Sequence, residues 1–162
     1  MKKVMLISMS LSVATIASAS DTLCTSQEKI IFSCSTGKKI VSVCASKDLS
    51  ASAGTLQYRF GKKGAVEATV PAAAAHPKKH TNGNNLMYSG GGGAYLRFIK
   101  GNYGYVVYTG IGKGWEKEGV AVEKGGKTIS NMLCRSAAQS EIGPDFFSKS
   151  GIPEDKTDFE IP

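Results

Sequence analysis

The sequence contains few of the residues from which metal centres and histidine-dependent active sites are built. Only two of its 162 residues are histidines, His76 and His80, and its four cysteines include no C-x-x-C pair. Zinc sites rely on closely spaced Cys and His, so these shortages disfavour a metal centre. The two histidines have an i, i+4 spacing, but Pro77 argues against a helix between them. We predict neither a metal nor a cofactor.

The common catalytic motifs are also missing. Ser89 does not lie in a G-x-S-x-G motif, because Met87 and Tyr88 precede it. The glycine run after Ser89 lacks the Lys-Ser/Thr of a P-loop, and the G-x-G-x-G at 110–114 is not a dinucleotide fingerprint. A Ser-His-Asp triad would need one of the two histidines, which both lie in a predicted loop. We therefore expect a protein that is not an enzyme.

The one long apolar run lies at the N-terminus. Lys2 and Lys3 precede an apolar stretch over 4–16, and Ala17-Ser18-Ala19 supplies small residues for cleavage. This order is typical of a secretory signal peptide, and the run falls short of the ~18–20 residues of a membrane span. We predict a signal peptide over 1–19, a periplasmic protein and no membrane insertion. Losing two lysines lowers the formal charge from +7 to +5.

The rest of the chain has a globular composition and a β pattern. Hydrophobic residues make up 41% of the sequence and charged residues 20%. Eight runs rich in β-branched and aromatic residues are separated by turn residues: 30–34, 40–44, 55–60, 66–70, 95–100, 103–109, 115–122 and 127–134. The pattern predicts an all-β fold, an antiparallel β-sandwich or flattened barrel of about eight strands.

Two segments interrupt or follow this pattern. Residues 71–85 combine Pro, Ala, Lys, His, Asn and Gly without periodicity, and we predict a long exposed loop there. Residues 142–162 are expected to form an irregular tail, with one helical turn near Phe146, that packs on the domain. The β domain is then expected to span 20–141.

The four cysteines predict two disulfides in an exported chain. A turn at Gly37-Lys38 would place the sulfurs of Cys34 and Cys44 on opposite faces of the first hairpin, so these two should not pair. Two connectivities remain. We favour Cys24 with Cys44 and Cys34 with Cys134, because this pairing would tie the last strand to the first hairpin.

A run of four glycines stands before one of the strongest predicted strands. Such a run is either a plain tether or a segment that lets the backbone enter a narrow space. A type II′ turn at Gly101-Asn102 would place Tyr95 opposite Tyr108. The loop beginning at Ser89 would then lie beside a second glycine-rich loop over 110–114. We predict that two slender loops meet at the same end of a sheet.

The same register assigns side chains to the two faces of the sheet. Leu96 and Phe98 would share the core face with Tyr105 and Val107. The opposite face would carry Tyr95, Arg97 and Tyr108. That second set is either a rigid aromatic base for a binding surface or an ordinary second packed face.

With these features, the sequence resembles the bacterial periplasmic lysozyme inhibitors, most closely the inhibitor of invertebrate-type lysozyme. Phe32-Ser33-Cys34 stands where related inhibitors have Tyr-x-Cys, and Ser89–Tyr95 matches their inhibitory loop in length. The resemblance implies a β-sandwich or barrel whose loop plugs the lysozyme cleft, and it implies a homodimer. The candidate lysozyme-binding residues are Ser89, Gly90, Gly91, Gly92, Gly93, Tyr95, Arg97, Tyr108 and Lys113.

The chemistry of such a plug follows from the target. Lysozyme, the type case of retaining glycosidases, holds two carboxyl groups roughly 5 Å apart, one protonated and one ionised. The Ser89 hydroxyl both donates and accepts hydrogen bonds, so it suits either state. The glycines let the backbone pass where a sugar would lie. Lys113 or Arg97 can pair with a carboxylate in the cleft or at its rim.

Charge bears on the partner and on one rival function. At +5, the mature chain would be steered toward an acidic lysozyme and repelled by a strongly basic one. The family resemblance implies that some invertebrate-type lysozymes are acidic, which favours a target of that type. The rival is a non-enzymatic envelope protein that binds an anionic cell-wall or lipopolysaccharide ligand through Lys62-Lys63 and Lys78-Lys79. The sequence has no interleaved aromatic and basic motif, so we predict no nucleic-acid partner.

Overall fold

The computed structural model describes residues 21–162, and the predicted signal peptide lies outside them. These residues form two five-stranded antiparallel sheets and one short helix, and within them neither sheet closes into a barrel. The strands are β1 (Glu28–Ser35), β2 (Ile40–Ser46), β3 (Leu56–Lys62), β4 (Ala65–Ala75), β5 (Thr81–Tyr88), β6 (Gly91–Lys100), β7 (Tyr103–Gly112), β8 (Trp115–Lys124), β9 (Lys127–Leu133) and β10 (Gln139–Ser140), and the helix is α1 (Pro144–Ser150). The predicted sandwich is confirmed, with ten strands rather than eight.

The first sheet has the strand order β10-β1-β2-β3-β4. The hairpin of β1 and β2 places Cys34 opposite Val41, as the turn at Gly37-Lys38 predicts. A bulge between Ile30 and Phe32 then shifts the register, so that Cys44 lies opposite Ile30 instead of Ile31. An extra residue on one strand displaces every later pair by one position.

The two disulfides pair as favoured. Cys24 bonds to Cys44, with 5.3 Å between the Cα atoms, and fixes the segment before β1 to β2. Cys34 bonds to Cys134, with 5.7 Å between the Cα atoms and 100 residues between them in sequence. Cys34 lies in β1 of the first sheet, and Cys134 follows β9 of the second. This second disulfide therefore links the two sheets covalently.

The second sheet is a meander with the order β5-β6-β7-β8-β9. Gly101 has a φ of +58°, and Asn102 has no positive φ, as a type II′ turn requires. The turn sets Tyr95 opposite Tyr108, which confirms the predicted register.

The main core lies between the two sheets. Leu96, Phe98 and Val107 belong to it, and Tyr105 packs against it, as the sequence predicts. The ring of Tyr58 from the first sheet lies 5.8 Å from that of Phe98 and 5.2 Å from that of Tyr105.

The prediction of a long loop over 71–85 was wrong. Residues 71–75 continue β4, residues 81–85 begin β5, and only 76–80 connect them, with a short 3₁₀ turn at Pro77–Lys79. The Asn and Gly residues of β5 have little β propensity, but each pairs with a residue of β6. Ladder hydrogen bonds and packing override local preference here.

The C-terminal segment contains more structure than one helical turn. After α1, the backbone of Pro153 and Asp155 bonds to Gly83 of β5, with N–O distances of 3.1 and 3.0 Å. Residues 155–161 then continue along the outer face of the second sheet, where Phe159 and Ile161 pack. No helix in residues 21–162 is both long enough and apolar enough to cross a membrane.

Candidate binding site at the ends of two hairpins

Two short turns lie side by side at one end of the second sheet, which we call the tip end. Ser89-Gly90 joins β5 to β6, and Lys113-Gly114 joins β7 to β8. The backbone N–H of Lys113 donates to the carbonyl oxygen of Ser89 at 3.1 Å, and all four residues are exposed. The prediction that two glycine-rich segments meet at one end of the sheet is confirmed.

The glycine run itself is not a loop, which corrects the prediction. Gly91, Gly92 and Gly93 are the first residues of β6, and Gly110 and Gly112 belong to β7. The run pairs with β5 on one side and β7 on the other, so the ladder offsets the entropy lost on ordering glycine. Only the two-residue turns project beyond the strands.

The glycines of β7 make room for packing on the outer face. A Cβ atom at Gly112 would collide with the Trp115 ring, and a Cβ atom at Gly110 with the Ile161 side chain. The Trp115 ring therefore lies close against bare backbone, and the ring of Tyr88 meets it edge-on at 5.0 Å. Sequence analysis missed these two aromatic residues, which a register count outward from Gly101-Asn102 would have placed at this end.

On the inner face, glycine forms the floor of an exposed apolar strip. Gly92 lies between Met87 of β5 and Ile111 of β7, and Glu116 of β8 continues the row. Met87 is 89% exposed and Ile111 is 53% exposed. Beside this row, a shallow cavity of about 290 Å³ reaches Pro144 at the start of α1. The tip end thus presents thin backbone flanked by two apolar side chains.

Of the two alternatives left open for the second face of the sheet, the structure has the packed face. Tyr95, Arg97 and Tyr108 are all buried. The ring of Phe159 lies 4.9 Å from that of Tyr95 and 5.8 Å from that of Tyr108. The Tyr95 hydroxyl donates to the carbonyl oxygen of Thr157 at 3.2 Å. Burial and the Asp155 carboxylate raise the pKa of Tyr95 to about 12.

Arg97 already has two carboxylate partners, so it is not free to pair with a lysozyme. Its Nε donates to Asp155 Oδ2 at 2.6 Å, and its Nη1 donates to Glu123 Oε2. Taking one of these groups away would leave a buried charge without its partner, which is costly. Lys113 is the predicted cation that stays exposed at the tip end.

The two histidines make local contacts. His76 Nε2 lies 3.1 Å from the carbonyl oxygen of Ser50, and His80 Nδ1 lies 3.0 Å from Thr81 Oγ1. Burial lowers the pKa of His80 below its ordinary value. Within residues 21–162, no group of three or more His, Cys, Asp and Glu residues is arranged to hold a metal ion.

The two lysine pairs of the rival hypothesis lie far apart. Lys62-Lys63 lies at the turn before β4, and Lys78-Lys79 follows the other end of that eleven-residue strand. Lys63 pairs with Asp21 at 3.2 Å. The two pairs therefore do not form one basic patch, and no observation favours a shared polymer ligand.

Comparisons of this chain with protein-family models, curated proteins and solved structures found no match. Its function therefore has to be argued from the residues and geometry of the tip end.

Proposed function

We propose that this protein is a periplasmic lysozyme inhibitor that presents its tip end to the active-site cleft of the enzyme. The observation that carries the proposal is the pair of exposed turns, Ser89-Gly90 and Lys113-Gly114, joined by a backbone hydrogen bond of 3.1 Å. The two turns form one thin projection, because the glycines that begin β6 lead into them and Lys113 is the one long side chain among the four turn residues. Of the other predicted contacts, Tyr95, Arg97 and Tyr108 support the sheet from its outer face.

The side chains at the tip end suit a cleft lined by carboxyl groups. The Ser89 hydroxyl can donate to an ionised carboxylate and accept from a protonated one. The Lys113 ammonium group supplies a positive charge beside it. Gly90 and Gly91 keep the projection narrow enough to lie where the glycan would bind. These groups would occupy the cleft without offering a bond for it to cleave.

Rigidity favours this mode of binding. β6 is bonded to β5 and β7 along its length, so the tip end is ordered before it meets a partner. A preorganised segment loses less conformational entropy on docking than a free loop does. The outer face adds to this rigidity, since Ile161 and Trp115 fill the space over Gly110.

Net charge favours an acidic target. The mature chain expected after signal cleavage carries +5, by subtraction of Lys2 and Lys3 from +7. Long-range attraction speeds association with an acidic enzyme and slows association with a basic one. An invertebrate-type lysozyme is therefore our preferred partner, and protection of peptidoglycan is the expected outcome.

A clearing assay tests the proposal. The mature protein is titrated against chicken-, goose- and invertebrate-type lysozymes acting on a peptidoglycan suspension. We expect stoichiometric protection without turnover, and the strongest effect against the invertebrate-type enzyme. If the protein protects against none of the three, or sediments with peptidoglycan in the absence of lysozyme, the proposal is wrong.

A double variant tests the role of the tip end. Ser89→Ala with Lys113→Ala should weaken inhibition by about 10- to 100-fold, since a hydrogen bond to a charged group contributes about 1.5–3 kcal/mol. Tyr95→Ala is unsuitable for this purpose, because Tyr95 is buried and its loss would damage the fold. The matched control is Asn102→Ala with Lys127→Ala, two exposed residues at the opposite end of the sheet. Equal inhibition by the two double variants would exclude the tip end from the mechanism.

A further inference from the structure

A second cavity lies away from the tip end, where the start of β1 and the end of β2 meet α1. It has a volume of about 360 Å³. Ile31 and Ala45 contribute from the strands, Leu49 from the following turn and Phe146 from the helix. Four of the eleven lining residues are therefore apolar, and the other seven are polar or charged. Ligand pockets span roughly 300–1,000 Å³, so this cavity suits a small molecule.

More positive than negative residues line the cavity. There are three lysines, Lys29, Lys47 and Lys149, and two carboxylates, Glu141 and Asp145. Lys29 is paired with Glu141 at 2.7 Å. Lys47 and Lys149 have no carboxylate within 4.0 Å in the part of the chain that the structure describes. Asp145 is the one carboxylate left to oppose these two ammonium groups, so the lining keeps an excess of one positive charge, which favours an anion.

We propose that this cavity binds a small organic acid, with the apolar body against Leu49 and Phe146 and the carboxylate held by Lys47 and Lys149. Charge selects the ligand and apolar contact retains it, which is the usual division of roles in small-molecule sites. None of its lining residues belongs to the two turns of the tip end, so this proposal does not rest on the proposed lysozyme inhibition.

Titration with 4-phenylbutyrate tests the proposal, with the neutral 4-phenylbutyramide as the comparison. We expect binding of phenylbutyrate in the micromolar to millimolar range by calorimetry. In ¹⁵N spectra, the shifts should cluster at Ala45, Leu49, Phe146 and Ser150. The amide should bind at least about fivefold more weakly, since it lacks the charge that the lysines attract. If phenylbutyrate causes no shifts there, or if the two compounds bind equally, the proposal is overturned.

Variants separate the charge from the cavity. Lys47→Gln with Lys149→Gln should weaken phenylbutyrate binding at least about fivefold and leave binding of the amide unchanged. Lys78→Gln with Lys79→Gln, the same change of charge elsewhere, should alter neither. Retention of full phenylbutyrate affinity by the Lys47/Lys149 variant would refute the assigned site.

Discussion

The two ends of the second sheet are built alike, yet only one of them is slender. At the end opposite the tip end, Gly101-Asn102 and Gly125-Gly126 also lie side by side. The N–H of Gly125 donates to the carbonyl oxygen of Asn102 at 2.9 Å, which corresponds to the bond from Lys113 to Ser89 at 3.1 Å. Each end is thus a pair of two-residue turns joined by one backbone hydrogen bond.

The strands that lead into these turns make the difference. At the tip end, β6 begins with three glycines, whereas at the opposite end it finishes with Ile99 and Lys100. At that opposite end, the Lys124 ammonium group also lies over the Tyr103 ring, 5.5 Å from its centroid. Turn chemistry alone therefore does not make a thin projection. The tip end is thin because the strands that lead into it contain glycines. Pairing of β6 with β5 on one side and β7 on the other keeps these glycines in the strand conformation.

The largest expected effect concerns the face that supports both ends. Phe159→Ala should lower the free energy of unfolding by about 3–5 kcal/mol, because a buried ring that packs on Tyr95 and Tyr108 is removed. Urea denaturation measures this loss. Ile129→Ala, at a side chain that is 58% exposed, is the control and should change stability little. A loss below about 1 kcal/mol for Phe159→Ala would mean that the tail does not support the sheet.

A smaller effect is expected at high pH. The pKa of Tyr95 rises from 10.0 to about 12 in the folded protein through burial and the Asp155 carboxylate. The folded state therefore keeps this proton more tightly than the unfolded chain does. The stability that this shift contributes is complete below about pH 10 and is lost as the pH rises toward 12.

Thermal denaturation between pH 9 and 12 tests this shift. Tyr95→Phe should show a shallower fall in Tm than the wild-type protein, because one of the three buried tyrosines whose pKa is raised no longer titrates. Since Tyr95 lies midway along β6, amide exchange should rise at both ends of the sheet together. Identical pH profiles for the variant and the wild-type protein would contradict the assignment.

The smallest expected effect separates the two ends most cleanly. Gly114 at the tip end and Gly126 at the opposite end have φ values of +82° and +76°, and a Cβ atom at either would meet nothing within 4 Å. Asn tolerates this backbone conformation, so Gly114→Asn and Gly126→Asn should both fold. Only Gly114→Asn should weaken lysozyme inhibition, by about tenfold, because crowding a close-fitting site costs about 1–3 kcal/mol. Equal effects of the two substitutions in the clearing assay would contradict the claim that only the tip end contacts lysozyme.

Local signals predicted much of the fold. The turn at Gly101-Asn102 fixed the register of β6 and β7, because turn geometry determines which residues face each other in a hairpin. That register in turn placed the two glycine-rich segments at one end. The favoured disulfide pairing was right, although a bulge shifted the register of Cys44 by one residue.

Non-local contacts explain what the sequence did not reveal. Alternation showed that Tyr95, Arg97 and Tyr108 share a face, but the same pattern fits a binding surface and a covered one. Phe159, which packs over this face, is more than fifty residues away in sequence, and no local sequence pattern predicts the contact. The glycine run and the Asn-rich start of β5 were expected to be loops, because their strand conformation depends on neighbours that pair with them.

Amide shift mapping during titration with an invertebrate-type lysozyme tests whether the tip end contacts the enzyme. We expect the amides of Ser89–Gly91 and of Lys113-Gly114 to shift or broaden, while those of Gly101-Asn102 and Gly125-Gly126 do not change. Perturbation confined to the opposite end of the sheet, or no perturbation at saturating lysozyme, would contradict it.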